Sequence, residues 1–222
     1  MGDRRHNNHK HQLQLKTPKK SSKPSVRNIC VYCGSNTGAN PAYVAAARQL
    51  GRLMAKADIG LVYGGGGRGL MGELARAVMA AGGRVTGIIP SFLSEKEHML
   101  REVHELIVVD DMHQRKKLMF DKSDAFVALP GGIGTLEELV EQLTWAQLGR
   151  HRKPVVLADI DGFWAPFREL LAHMHQEGFI KPEMDVRYIT VERAQDIIPA
   201  ILAAAARPVA PAPADAAVTE KF

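Results

Sequence analysis

The stretch AFVALPGGIGTLEELVEQL, residues 125–143, runs from a continuous apolar segment through a proline and three glycines into a helical period. Phe126, Val127, Ala128 and Leu129 form the kind of unbroken apolar run expected of a strand buried on both faces. Leu136, Leu139, Val140 and Leu143 then recur at i, i+3, i+4 and i+7, which predicts an amphipathic helix over Thr135–Leu148. A buried strand turning on glycines straight into a helix is one βα unit of a parallel sheet. In such sheets ligands bind beyond the carboxyl ends of the strands, near the point where strand order reverses.

The same rhythm continues in both directions. Further strands are predicted at Asn28–Cys33, Gly60–Tyr63, Arg84–Ile89, Glu105–Val109, Pro154–Ala158 and Arg187–Thr190, with 125–129 completing seven. Helices are predicted at Pro41–Lys56, Leu70–Ala81, Met112–Ser123, Phe163–Glu177 and Glu192–Ala203. Strands alternating with helices imply an α/β fold: a Rossmann-like, doubly wound, mostly parallel sheet of seven strands with helices on both faces. Residues 26–203 read as one such domain. Residues 1–25, rich in His, Lys, Asn, Gln and Ser, read as a basic disordered tail, and residues 204–222 as an Ala/Pro-rich tail.

Composition narrows the function classes. No run of about 18 apolar residues is present, so no membrane span is expected. The positively charged start lacks an apolar run behind it and does not resemble a secretory signal. A cytoplasmic protein is expected. The net charge of +5 suggests nucleic acid until its location is considered: residues 1–27 hold eight Lys or Arg against the single acid Asp3. Without that +7 the rest of the chain stands at −2, so the folded part has no general basic excess. The two cysteines, Cys30 and Cys33, are too few for a tetrahedral zinc site. Residues three apart on a strand face opposite sides of the sheet, so both thiols read as structural. No metal-ligand cluster or cofactor motif appears, and neither a metal nor a cofactor is expected.

Three loops are placed to carry chemistry. Gly64-Gly65-Gly66-Gly67-Arg68-Gly69 formally matches G-x-G-x-x-G and would let backbone N–H groups approach a phosphate. It follows the second strand, however, and the next strand ends without a ribose-binding acid, so a tight turn between helix and sheet is an equal reading. Pro130–Thr135 points free N–H groups and the positive end of a helix into the strand-end crevice, an anion site by construction. Thr135-x-x-Glu138 is also a capping box, with Glu138 as the N3 acid. Met112-His113-Gln114-Arg115-Lys116-Lys117 reads by itself as a solvated helix face.

Taken together these motifs are more specific. Gly64-Gly65-Gly66 with Gly69-Leu70-Met71-Gly72, then Met112-His113-x-Arg115-Lys116, then Pro130-Gly131-Gly132-x-Gly134-Thr135-x-x-Glu138 resemble the Lonely Guy (LOG) family in order and spacing. The resemblance runs from about Asn28 to Ile180 and includes Cys33-Gly34-Ser35 and Leu143-Thr144-Trp145-x-Gln147-Leu148-Gly149. It implies hydrolysis of the N-glycosidic bond of AMP or cytokinin riboside 5′-monophosphates, giving free base and ribose 5-phosphate. The positions matching the family's catalytic pair are Arg115 and Glu138. Those matching nucleotide contacts are Glu97, Lys116, Gly131, Gly132, Ile133, Gly134, Thr135, Leu136, Glu137 and Thr144, besides Arg115; His113 matches no role. A homodimer is implied too, with helices near the site packing across the partner. Lysine decarboxylase, an older label for such sequences, fits poorly, because nothing here resembles a pyridoxal-phosphate site with its Schiff-base lysine.

Cleaving a base from ribose passes through an oxocarbenium-like sugar. The resemblance therefore places the 5′-phosphate on Gly131–Thr135 and Glu138 at the ribose, either stabilising the cation or activating water. Arg115 would position Glu138, the phosphate or the departing base. Two rival classes share parts of this pattern: a non-catalytic nucleotide or molybdenum-cofactor carrier, and a nucleic-acid binder using the basic tail.

Overall fold

The computed structural model describes residues 26–94, 98–181 and 186–207. Seven strands build one sheet: β1 (Asn28–Tyr32), β2 (Gly60–Tyr63), β3 (Val85–Pro90), β4 (Glu105–Val109), β5 (Ala125–Ala128), β6 (Val155–Ala158) and β7 (Ile189–Val191). Their order is β4-β3-β2-β1-β5-β6-β7, and every strand pair is parallel. The chain winds outward from β1 to β4, then returns to the other side of β1 with β5. That reversal opens a crevice between the carboxyl ends of β1 and β5.

Side-chain alternation along β1 shows why both faces must be covered. Ile29, Val31 and Cys33 point into a core closed by α1 (Pro41–Lys56), α2 (Gly69–Ala80) and α7 (Ala194–Ala205). Cys30 and Tyr32 point the opposite way, into a core closed by α4 (Met112–Asp121), α5 (Ile133–Gln147) and the start of α6 (Ala165–Gln176). A four-residue helix, α3 (Ser91–Ser94), and a 3-10 turn at Ile160–Gly162 complete the elements. The two thiols are free and buried, one on each face, where burial first and the charge of Glu138 second raise their pKa.

The fold matches the expected architecture, with small shifts at element ends. The sheet is wholly parallel, and β3 and β7 begin later than the sequence pattern suggests. One shift has chemical weight. Helix α5 begins at Ile133, two residues before the expected Thr135, because Gly132 takes the extended N-cap position and Ile133-Gly134 already turn helically. Thr135 is thus the third helical residue, Glu138 the sixth, and Gly132 makes no side-chain cap bond. The capping box is therefore absent. Residues 1–25 and 208–222, which hold most of both expected tails, lie outside the described residues, as does Glu97. Among the described residues no helix is long and apolar enough to cross a membrane.

Beneath α5, buried His151 joins the helix to the start of β6. Its Nδ1 accepts from the Lys153 N–H at 3.1 Å, which leaves Nε2–H to donate to the Gln142 carbonyl at 3.0 Å. Both bonds suit the neutral ring, and burial lowers its pKa below the ordinary 6.5, a nearby Lys153 charge adding to the effect. The unfolded chain therefore takes up a proton before the folded one does. Stability contributed by His151 is complete above about pH 6.5 and is lost as pH falls through the depressed folded value. Thermal melts between pH 8 and 5 should show this loss in the parent. His151→Gln should be less stable at pH 8 but have a flatter acid profile.

Candidate active site

The crevice is built from main-chain atoms before any functional side chain enters. The Gly34 N–H donates to the Pro130 carbonyl at 3.0 Å, tying the loop after β1 to the loop after β5. Gly131 is required at this junction, since a Cβ there would lie 2.6 Å from Thr135 Cβ and 2.9 Å from Gly34 N. The first intrahelical bond of α5 runs from the Leu136 N–H to the Gly132 carbonyl, so the N–H groups of Ile133, Gly134 and Thr135 precede the ladder. Gly132, Ile133 and Gly134 are exposed and Thr135 is buried. Uncommitted N–H groups at an exposed helix start are the geometry that an anion site requires.

A charged pair lies beneath it. Asp111 caps α4 by accepting the Gln114 N–H at 2.8 Å, and this sets Arg115 on the inward side of the first turn. Arg115 is only 6% exposed. Its Nη2 donates to the Gly64 carbonyl at 3.2 Å, and its Nη1 lies 3.9 Å from Oε1 of Glu138, itself 8% exposed. A side chain at position 64 would collide with the guanidinium. The first glycine loop therefore seats an arginine. The rest of that loop is bonded to the segment at 98–100, with Gly67 N–H to the His98 carbonyl and Leu100 N–H to the Gly65 carbonyl, both at 3.0 Å.

Lys116 turns the other way. Its Nζ lies 2.6 Å from Oε1 of Glu137 and 2.9 Å from Oε1 of Glu141. Burial pulls its pKa down, but these two carboxylates outweigh it and raise the value above that of an ordinary lysine. Thr144 stands apart from the loop, about 13 Å further along α5 by helical rise, exposed and with its hydroxyl donating to the Val140 carbonyl at 2.8 Å. Leu136 is half-buried, Ile133 is 82% exposed, and His113 is exposed on α4. Sequence reasoning missed Glu141, although its spacing of three from Glu138 and four from Glu137 places it on their side of the helix. Among the described residues, no group of three or more His, Cys, Asp or Glu is arranged to hold a metal ion.

Residues 71–201 match the family model described as "Possible lysine decarboxylase". The chain is also 45% identical over 177 residues to the cytokinin riboside 5′-monophosphate phosphoribohydrolase LOG7 of Arabidopsis thaliana, covering 80% of this chain and 82% of that one. The chain belongs to the LOG family. A second LOG-family relative, the cytokinin riboside 5′-monophosphate phosphoribohydrolase LOG of Oryza sativa subsp. japonica, is 46% identical over 172 residues, 78% of this chain and 71% of its own. Among solved structures, the molybdenum cofactor binding protein of Rippkaea orientalis superposes with a TM-score of 0.62 at 24% identity, covering 81% of this chain and 98% of that one. The molybdenum cofactor carrier protein of Chlamydomonas reinhardtii does so at 0.62 and 20%, covering 82% and 100%. At those identities the likeness concerns the fold alone.

The glycines of this LOG-family loop are not equivalent. Gly131→Ala should lose about 1–3 kcal/mol to overpacking. Gly134, where an added Cβ meets nothing within 4 Å and the backbone is already helical, should tolerate alanine or gain up to about 1 kcal/mol. Urea melts of the two variants test the contrast, and equal destabilisation would count against this packing.

Proposed function

We propose that this LOG-family chain hydrolyses the N-glycosidic bond of nucleoside 5′-monophosphates, AMP and cytokinin riboside 5′-monophosphates among them, releasing free base and ribose 5-phosphate. The observation that carries the reading is a buried carboxylate, Glu138, 3.9 Å from a buried guanidinium and less than one helical turn beyond the anion-accepting start of α5. Relatives 45% and 46% identical are named for this reaction.

In the proposed mechanism the N–H groups of 133–135 hold the 5′-phosphate, so that binding energy remote from the bond is used at C1′. The C1′–N bond breaks with its electron pair leaving on the base, and the sugar becomes cationic. Glu138 faces that cation and takes a proton from the attacking water as its oxygen bonds to C1′. The departing base takes up one proton, which balances the one water gives up. Arg115, held by the Gly64 carbonyl, positions the carboxylate. A decarboxylase built on a Schiff-base lysine suits these residues less well: Lys116 is held charged by two carboxylates, whereas imine formation needs a neutral amine.

The same reading includes a homodimer. Ile133 and Val140 on α5, Leu148 at its C-cap, Leu170 and Met174 on α6 and Phe179 beyond it are exposed on the α4–α6 side of the sheet, an apolar surface suited to a second copy. Sedimentation at micromolar concentration should give twice the chain mass; a monomer would remove this element. We further place the protein in the cytoplasm, a reducing compartment in which its two free thiols persist.

Chromatography of AMP incubated with the protein should show adenine and ribose 5-phosphate, with adenosine at least about 10²-fold slower for want of the phosphate. Glu138→Gln should lower the single-turnover rate by about 10²–10⁴-fold. Its stability cost should be about 1–3 kcal/mol, because Arg115 loses a charged neighbour rather than the helix losing a cap. A Gln variant that turns over at the parent rate would sink the mechanism.

A further inference from the structure

Helix α5 carries Gly134, Glu138, Glu141 and Trp145 at intervals of four, three and four residues, one stripe facing α4. Its upper end is the anion-accepting loop and the Arg115–Glu138 pair. Its lower end borders a cavity of about 530 Å³ between α4 and α5, lined among others by Lys116, Phe120, Glu141, Trp145 and Arg150. That volume lies in the range of small-ligand sites. By helical rise, Glu141 stands about 10 Å and Trp145 about 16 Å below Gly134.

The cavity offers two kinds of contact. Phe120 and Trp145 form an aromatic corner, their ring centroids 5.1 Å apart and their planes inclined at 74°. One turn of α5 above Trp145, Glu141 spends only one oxygen on Lys116, through Oε1 at 2.9 Å. Its Oε2 is buried and, among the described residues, receives no hydrogen bond. A buried carboxylate oxygen without a donor is costly unless a ligand supplies one. The combination suits a flat ring with an N–H on its edge.

Resting on the hydrolase reading above, we infer that this cavity is the base subsite: Trp145, braced edge-on by a Phe120 ring that Lys153 Nζ covers at 3.7 Å, takes the purine ring, and Glu141 Oε2 accepts the N–H of a 6-amino group. The assignment makes Glu141 a specificity residue. A primary 6-amino group and an N6-substituted one both keep an N–H to donate. A 6-oxo purine in the same pose sets a lone pair where that N–H stood and must shift to offer its N1–H instead, the kind of mismatch that discriminates.

Hydrolysis of AMP and of inosine 5′-monophosphate by the parent and by Glu141→Gln tests this. The parent should favour AMP at least about 10²-fold in kcat/KM. Glu141→Gln, whose amide can donate to a 6-oxo group, should narrow that ratio tenfold or more. Trp145→Ala should raise KM for AMP roughly tenfold through lost stacking, and Trp145→Phe should restore most of it. Tryptophan fluorescence reads the subsite without turnover. The chain has two tryptophans, and Trp164 is buried in the core, its Nε1–H donating to the Ala128 carbonyl at 3.2 Å, and does not line this cavity. AMP should therefore quench the parent but not Trp145→Phe. Hydrolysis of AMP with an unchanged base ratio in Glu141→Gln and no quench would overturn the subsite alone. Quenching by AMP without release of ribose 5-phosphate would uphold the subsite and overturn the hydrolase reading.

Discussion

Placing the guanidinium of Arg115 at 6% exposure governs much of what surrounds the strand ends. A buried cation is tolerated only where neighbours replace the water it has lost. Here the replacements are the Gly64 carbonyl, the Glu138 carboxylate and the Met112 sulfur, 3.8 Å from Nη1. Each constrains its own element. Position 64 can carry no side chain, α5 must present an acid at its sixth residue, and α4 must begin close enough to the crevice for its first turn to reach inward.

Helix α5 links the parts. Its start supplies uncommitted N–H groups, its second turn supplies the acid, and further turns border the cavity with Glu141 and Trp145. A nucleotide lying along it would meet phosphate donors, a negative charge and an aromatic wall in the order in which its own groups occur. The opposite face of the sheet, sealed by α1, α2 and α7, holds the strands rigid behind this arrangement.

The fold was legible because its inner strands are buried on both sides. The run Phe126–Leu129 has few other uses, and the glycines after β2 and β5 mark the turns; Ile107-Val108-Val109 reads the same way but forms the edge strand β4, where Val108 is 52% exposed. The start of α5 was not, because Thr-x-x-Glu signals a helix terminus without fixing which residue is N-cap, and glycine at 132 serves there without any side chain. Met112–Lys117 looked like a solvated face, which holds for His113 and Lys117 but fails for Arg115. Charge pattern alone cannot reveal burial that depends on a carbonyl 51 residues earlier in the chain. Glu141 escaped for the same reason: its partner, Lys116, comes from a different helix.

The two sulfurs have a practical consequence. Cys30 and Cys33 are sealed on opposite faces of β1, with no exposed edge and with their ionisation pushed upward. Thiolates rather than thiols react with alkylating and disulfide reagents, so the native fold is nearly silent to such chemistry, and no other cysteine exists in the chain. A single cysteine introduced at a solvent-facing position would then be a unique attachment point for a dye, a spin label or a surface tether. Conversely, labelling of the unaltered chain would report that β1 had left the sheet.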